Sequence, residues 1–180
     1  MPAPAPAPPG QRLAHPLAAN DLLMYRLNRL LAVAGSLVVR LCEGGYGITR
    51  REWGLLMMLN QYPGTPPAGL ARRLGLDRSR TSRAITSLQA KKLITRQAMP
   101  GDRRQAVLSL TPAGQALYDD LFPQVKALNQ ALLAGLDAHA VQMLDHALAD
   151  MQQRAEALIS ARTDVPRTYR LRGRNRADGG

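Results

Sequence analysis

Apolar residues recur at helical spacing in several windows of the chain. Leu23, Leu27, Leu30, Ala34, Leu37 and Leu41 form one stripe. It predicts a long amphipathic helix of about five turns, with Asn20 as its N-cap ahead of Asp21. Gly44-Gly45-Tyr46-Gly47 interrupts it. Thr49-Arg50-Arg51-Glu52 reads as a capping box for a short apolar helix from Trp53 to Leu59. Thr65-Pro66 reads as an N-cap followed by Pro at the first helical position. The helix Pro67–Leu74 then turns Leu70, Ala71 and Leu74 inward, and Gly75 ends it. Asp77 caps the next helix, Arg78 to about Lys91, with Thr81, Ala84, Ile85 and Leu88 on one face. Two helices joined by a tight glycine turn, the second with a small-polar and basic outer face, predict a helix-turn-helix.

Beyond Leu93-Ile94 two short strands are expected, Thr95–Met99 and Gln105–Leu110, around a Pro-Gly-Asp-Arg-Arg tip. A hairpin in that place reads as a wing. Thr111-Pro112 opens a further helix with the stripe Leu117, Leu121, Val125, Leu128 and Leu132. A bend is expected at Pro123, which lacks an N–H and crowds the carbonyl of Asp119. Gly135 and Asp137 separate it from a last helix striped by Leu144, Leu148, Met151, Ala155 and Leu158.

The pattern therefore predicts a mainly α fold with a small β-hairpin wing. Residues 1–19 read as a disordered Pro/Ala-rich tail and 20–47 as a dimerisation helix. Residues 48–111 read as the winged helix-turn-helix domain, 112–161 as dimerisation helices, and 162–180 as a basic disordered tail. Three apolar stripes flank a 64-residue middle segment too small to cover them. A second copy, interlocking about a two-fold axis, is the economical cover. Such a homodimer also presents two recognition helices about one DNA turn apart.

Charge sharpens this picture. The chain carries a net +11, unevenly spread. Between Arg72 and Gln105 ten basic residues face two acids, whereas Thr111 to Ala161 holds two basic and six acidic residues. Phosphate backbones are the commonest partner of such a basic block. No apolar run reaches about 18 residues, so no membrane partner is expected. MPAPAPAPPGQ lacks the basic and apolar regions of a signal peptide. A single cysteine, Cys42, rules out an internal disulfide framework and points to a cytoplasmic setting.

The order of elements resembles the MarR family of winged-helix transcription regulators. The resemblance is carried by ITRREWGLLMML, LARRLGLDRSRTSRAITSLQAKKLI and GDRRQAVLSLTPAG, and it covers roughly Asp21 to Ser160. It implies a homodimer on a pseudo-palindromic operator of double-stranded DNA, more often repressing than activating. It makes Arg78, Ser79, Arg80, Ser82, Arg83 and Thr86 the recognition-helix contacts. It makes Asp102, Arg103 and Arg104 the wing contacts, with Arg104 in the minor groove and Asp102 bracing it. It further implies release by a small phenolic or aromatic acid in a crevice near Trp53, Met57 and the end of the first helix.

The residues themselves support these assignments. Short hydroxyls let a helix approach phosphates and base edges, and arginine suits a narrow minor groove. The alternative from another class is a sequence-tolerant architectural DNA-binding protein without an effector.

Other features are weaker. Cys42 could be a redox site, but Glu43 beside it opposes thiolate formation, so an inert thiol is expected. His146 and Asp150 have i, i+4 spacing, but two groups make no metal site. Arg172-Gly173-Arg174 reads as a phosphate tether. His15, His139 and His146 are scattered and no nucleophile–base pair stands out. An enzyme is not expected, and neither is a metal or a cofactor.

Overall fold

A computed structural model describes residues 11–99 and 102–161, without the side chains of residue 99 and residues 102–105. The tail assignments at 1–10 and 162–180 lie outside the described residues. The fold is mainly helical with one antiparallel hairpin. The elements run α1 (Leu23–Arg40), α2 (Arg50–Gln61), α3 (Pro67–Leu74), α4 (Arg78–Ala90), β1 (Ile94–Met99), β2 (Asp102–Leu110), α5 (Pro112–Leu133) and α6 (Ala138–Ala161). They divide into one compact unit ending at Leu128 and another beginning at Asn129.

The start of α1 differs from the expectation. Asn20 is not its cap. Residues Ala19–Asp21 form a short 3₁₀ turn, and α1 follows an extended Leu22. The Asp21 carboxylate takes the N–H groups of Leu17 and Ala18, both at 3.1 Å. An acid inside the turn thereby satisfies the preceding donors, and the chain must re-extend before α1 begins. At its far end α1 passes into a π-helical turn, Leu41–Gly45, and then swings by 89° into α2.

Two other starts are as the residues predict. Thr49 accepts from Glu52 N–H at 3.2 Å, and Glu52 accepts from Thr49 N–H at 2.6 Å. Asp77 accepts from Arg80 N–H at 2.7 Å. The start of α3 is corrected by one residue: Pro66 is the N-cap and Pro67 the first helical residue. A proline disfavours helical geometry in the residue before it, so Pro67 holds Pro66 extended. Thr65 is thereby left for other bonds. Its hydroxyl donates to Tyr62 O at 2.7 Å, and its carbonyl takes Leu108 N–H at 3.1 Å. With Gly64 N–H on Leu108 O at 3.0 Å, this segment lays a third rung against β2.

The hairpin pairs Ile94 with Leu110 through Ala98 with Ala106, and a register shift follows at Met99. Gly75, in the left-handed conformation (φ 61°), ends α3. Lys92 ends α4 in the same conformation, φ 58°, with Leu93 N–H on Leu88 O at 3.0 Å and Lys92 N–H on Gln89 O at 2.9 Å. That is a Schellman closure built on a lysine where glycine would cost less. α5 continues through Pro123.

The core gathers Trp53, Leu55, Leu56 and Leu59 of α2 with Leu70, Ile85, Leu88, Ile94, Leu108 and Leu121. Each buried side chain contributes about 1.5–3 kcal/mol. Large apolar groups remain outside it. Met24 and Val33 of α1 are each 74% exposed, and in the other unit Ile159 of α6 is 78% exposed. Among the described residues no single helix is long and apolar enough to cross a membrane.

Candidate nucleic-acid interface and adjoining cleft

The inner and outer faces of α4 separate cleanly. Thr81, Ala84, Ile85 and Leu88 are buried, and Thr81 returns its hydroxyl to Asp77 O at 3.0 Å. Arg78, Ser79, Arg80, Ser82, Arg83 and Thr86 are all exposed. The six residues expected to meet DNA thus share one open surface. Asp77 does more than cap. Its second oxygen lies 3.0 Å from Arg80 Nε, an exposed pair that orients the guanidinium and adds little stability. Near the end of α3, the Arg73 guanidinium lies 3.9 Å from the centre of the Tyr62 ring.

Behind α4 the strands position the wing. The backbone of Asp102, Arg103 and Arg104 runs in β2. Their side chains lie outside the described residues, as do both residues of the tip, Pro100 and Gly101.

A cleft of about 690 Å³ opens beside α2, within the usual range for small-molecule sites. Trp53 and Met57 line it, together with Val38 of α1, Leu74, Leu76 and Val125. Two cations on its wall, Arg50 and Arg51, escaped the sequence reading. The signal was present. Both sit in the first turn of α2, three and two residues before Trp53, so they share its end of the helix. Arg50 also lies against α1, because a Cβ on Gly35 would come within 3.1 Å of its Nη1. Trp53 stacks on Tyr118 at 5.5 Å and Tyr118 on Phe122 at 5.3 Å, which fixes the ring.

The larger omission is Glu52, expected only to close a capping box. It is 1% exposed. Lys91 Nζ lies 2.9 Å from Oε1 and 3.0 Å from Oε2, and it donates to Gly47 O at 2.8 Å as well. Burial pushes the carboxyl pKa up. Hydrogen bonds from Ser87, the Thr49 backbone, Lys91 and the Thr49 hydroxyl outweigh that, leaving it below its ordinary 4.5.

Cys42 is fully buried. Burial first, then Glu43, push its thiol above the ordinary 9.0, against a smaller opposing pull from Arg50. Such a thiol stays protonated and out of reach. His139, His146 and Asp150 are exposed on α6. Among the described residues no three His, Cys, Asp or Glu groups gather to hold a metal.

Residues 46–105 match the sequence profile of the MarR family. Among curated proteins, one assigned to regulation of the hcr operon of Thauera aromatica is 38% identical over 106 residues. Those cover 58% of this chain and 63% of that protein, so the match spans just under two thirds of its length. The homoprotocatechuate degradative operon repressor of Escherichia coli is 27% identical over 105 residues, 58% of this chain and 71% of that one. Among solved structures, a MarR-family regulator from Silicibacter pomeroyi superposes with a TM-score of 0.66 at 25% identity, covering 83% of this chain and 96% of its own. BpsR of Bordetella bronchiseptica, whose DNA binding is regulated by 6-hydroxynicotinic acid, superposes with a TM-score of 0.68 at 20% identity, covering 76% and 97%.

Proposed function

Because this chain carries a MarR-family winged-helix domain over residues 46–105, we propose that it is a sequence-specific regulator of transcription that binds double-stranded DNA as a homodimer. In this reading it represses from a pseudo-palindromic operator and is released by a small aromatic acid. The observation that carries the reading is the outer face of α4, where arginines and short hydroxyls stand clear of the core that Thr81, Ala84, Ile85 and Leu88 complete. Arginine forks match guanine edges and phosphates, and the hydroxyls permit close approach. Arg104 of the wing enters the flanking minor groove, with Asp102 and Arg103 beside it.

The homodimer is supported by the apolar side chains left open on α1 and on α6. Monomeric proteins rarely leave such surface uncovered. The ligand class is supported by the cleft. Arg50 and Arg51, against the single acid Glu43 on the same wall, leave a net positive charge for a carboxylate, and Trp53, Met57, Leu74 and Leu76 supply apolar walls for a ring. The names of two similar proteins, one tied to homoprotocatechuate and one to 6-hydroxynicotinic acid, fit that chemistry.

The test is fluorescence anisotropy with a duplex selected from a random pool by the protein, against an unselected duplex. Affinity for the selected duplex is expected to be higher by about 10³ or more. Arg83→Ala is expected to lose about 1–3 kcal/mol on the selected duplex. Homoprotocatechuate or 6-hydroxynicotinic acid is expected to weaken binding. Equal affinity for both duplexes, unchanged by either acid, would replace this reading with the architectural one.

A further inference from the structure

Resting on that reading, we propose that Glu52 is a positioning residue, which holds the end of the recognition helix to the hinge after α1 and couples the cleft to DNA affinity. A capping box needs one acceptor from its acid, here the bond from Thr49 N–H at 2.6 Å. Glu52 is occupied far beyond that. Both of its oxygens accept from Lys91 Nζ. Lys91 is the C-cap of α4, three residues past the buried Leu88. The clamp therefore grips the C-terminal end of that helix.

The other side of the clamp is the hinge. Lys91 also holds Gly47 O, and Gly47 stands in the left-handed conformation (φ 61°) between the π turn and α2. Tyr46, one residue earlier, donates its hydroxyl to Asp120 Oδ2 at 2.6 Å and accepts from Gln124. Segment 46–52 is thus tied to α5 on one side and to α4 on the other. The cleft is built on the same segment, since Thr49, Arg50, Arg51 and Trp53 all line it and flank Glu52.

The pair is buried on its acid side only, with the Glu52 side chain 2% exposed and that of Lys91 35%. Such a pair is a poor source of stability, because desolvation of the carboxylate consumes much of the attraction and water screens the lysine. Its best-attested use is to fix one geometry among several. That use fits here. The helix from Arg78 to Ala90 is about 20 Å long at 1.5 Å per residue, so a tilt of about 5° at its clamped end moves the other end by about 2 Å. Base contacts do not survive such a shift. An anion drawn to Arg50 and Arg51 loads the first turn of α2, which is the turn whose Glu52 sets that tilt. Coupling of this kind requires the ligand to favour one of the two arrangements.

The test uses full-length wild type, Glu52→Gln, Lys91→Met, Lys91→Arg and the double variant Glu52→Gln/Lys91→Met. All are measured at a temperature where each is folded. The amide introduced by Glu52→Gln keeps the capping box, so the cap is not what is removed. DNA affinity is read by anisotropy on the selected duplex. Binding of 6-hydroxynicotinic acid is read from Trp53, the one tryptophan in the chain. The coupling factor is the ratio of DNA dissociation constants with and without the acid.

Glu52→Gln and Lys91→Met are expected to weaken DNA binding about tenfold or more. They should bind the acid within about twofold of wild type and bring the coupling factor close to one. Lys91→Arg is expected to retain both properties, and the double variant to be no worse than either single one. Amide exchange at residues 90–93, measured without DNA, should quicken in Glu52→Gln.

Variants that lose only thermal stability, with wild-type DNA affinity and coupling factor, overturn this inference alone. Additive losses in the double variant do the same. Wild-type protein that binds selected and random DNA alike overturns the function proposed above. In that case unchanged exchange at residues 90–93 overturns the positioning role independently. A wild type whose DNA affinity the acid does not change overturns the coupling.

Discussion

Replacing Gly114 with Ala tests the joint between the wing and α5. A Cβ at that position would lie 2.0 Å from the carbonyl oxygen of Leu93 and 3.0 Å from its carbon. Carbon approaches a carbonyl oxygen no closer than about 3.3 Å, so the two segments must part by more than about 1 Å. The Leu93 carbonyl already accepts Thr111 N–H at 3.0 Å. A further ångström breaks that bond, at about 1–3 kcal/mol when the donor stays buried. The Thr111 hydroxyl belongs to the same contact. It accepts from Gly114 N–H at 3.0 Å and donates to Lys92 O at 2.8 Å. Losing this cap adds about 1 kcal/mol. Alanine recovers at most about 1 kcal/mol of helix propensity.

The balance is a loss of about 1–3 kcal/mol, which lowers Tm by roughly 2–12 °C in a chain of this size. Thermal unfolding followed by circular dichroism at a single protein concentration measures it. Ala113→Gly is the control. Ala113 is exposed on the same turn, so only the propensity cost of about 1 kcal/mol is expected there. A Gly114→Ala protein that melts at or above the wild-type temperature would refute the reasoning, because α5 would then be free to slide off Leu93.

Lys92→Gly is expected to raise Tm by up to a few degrees. Lys92 is the one non-glycine residue with positive φ among those described, and relieving it returns about 1–2 kcal/mol, less the added freedom of the unfolded chain. A fall of Tm in this variant would show that the lysine side chain outweighs the strain. The depressed pKa of Glu52 makes a pH prediction. A lowered folded pKa adds stability that is present in full above the ordinary 4.5 and is lost as pH falls through the folded value. Denaturant unfolding from pH 7 to pH 3 should show a loss beginning below about pH 4.5 that is shallower in Glu52→Gln. Identical acid limbs in the two proteins would contradict the clamp.

Much of the fold was legible because its signals are local. Capping boxes, left-handed glycines and helical stripes are each written within about four residues. Thr49 with Glu52, Asp77, Thr111 and Gly75 all fall where that grammar puts them. So does the inner face of α4, whose four buried residues follow from a period of 3.6. The outward set on α4 was readable for the same reason. The local rules failed where two of them competed. Thr65 looked like a cap, but Pro67 claimed the residue between them and β2 claimed the Thr65 backbone. Asn20 lost to the carboxylate beside it.

By itself, then, the sequence determined the run of elements, the basic face of α4, and the three apolar stripes that call for cover. Packing alone decided which distant groups meet. Glu52 and Lys91 stand 39 positions apart, and nothing near either names the other. The need for a glycine at 114 arises only where α5 is laid on Leu93, since a Cβ there would lie 2.0 Å from the Leu93 carbonyl oxygen. Arg50 and Arg51 become part of a cleft wall only when α1, α2 and α5 meet around it. Backbone preference acts over one turn, whereas the partner of a buried charge is chosen by whichever surface the folded chain brings against it.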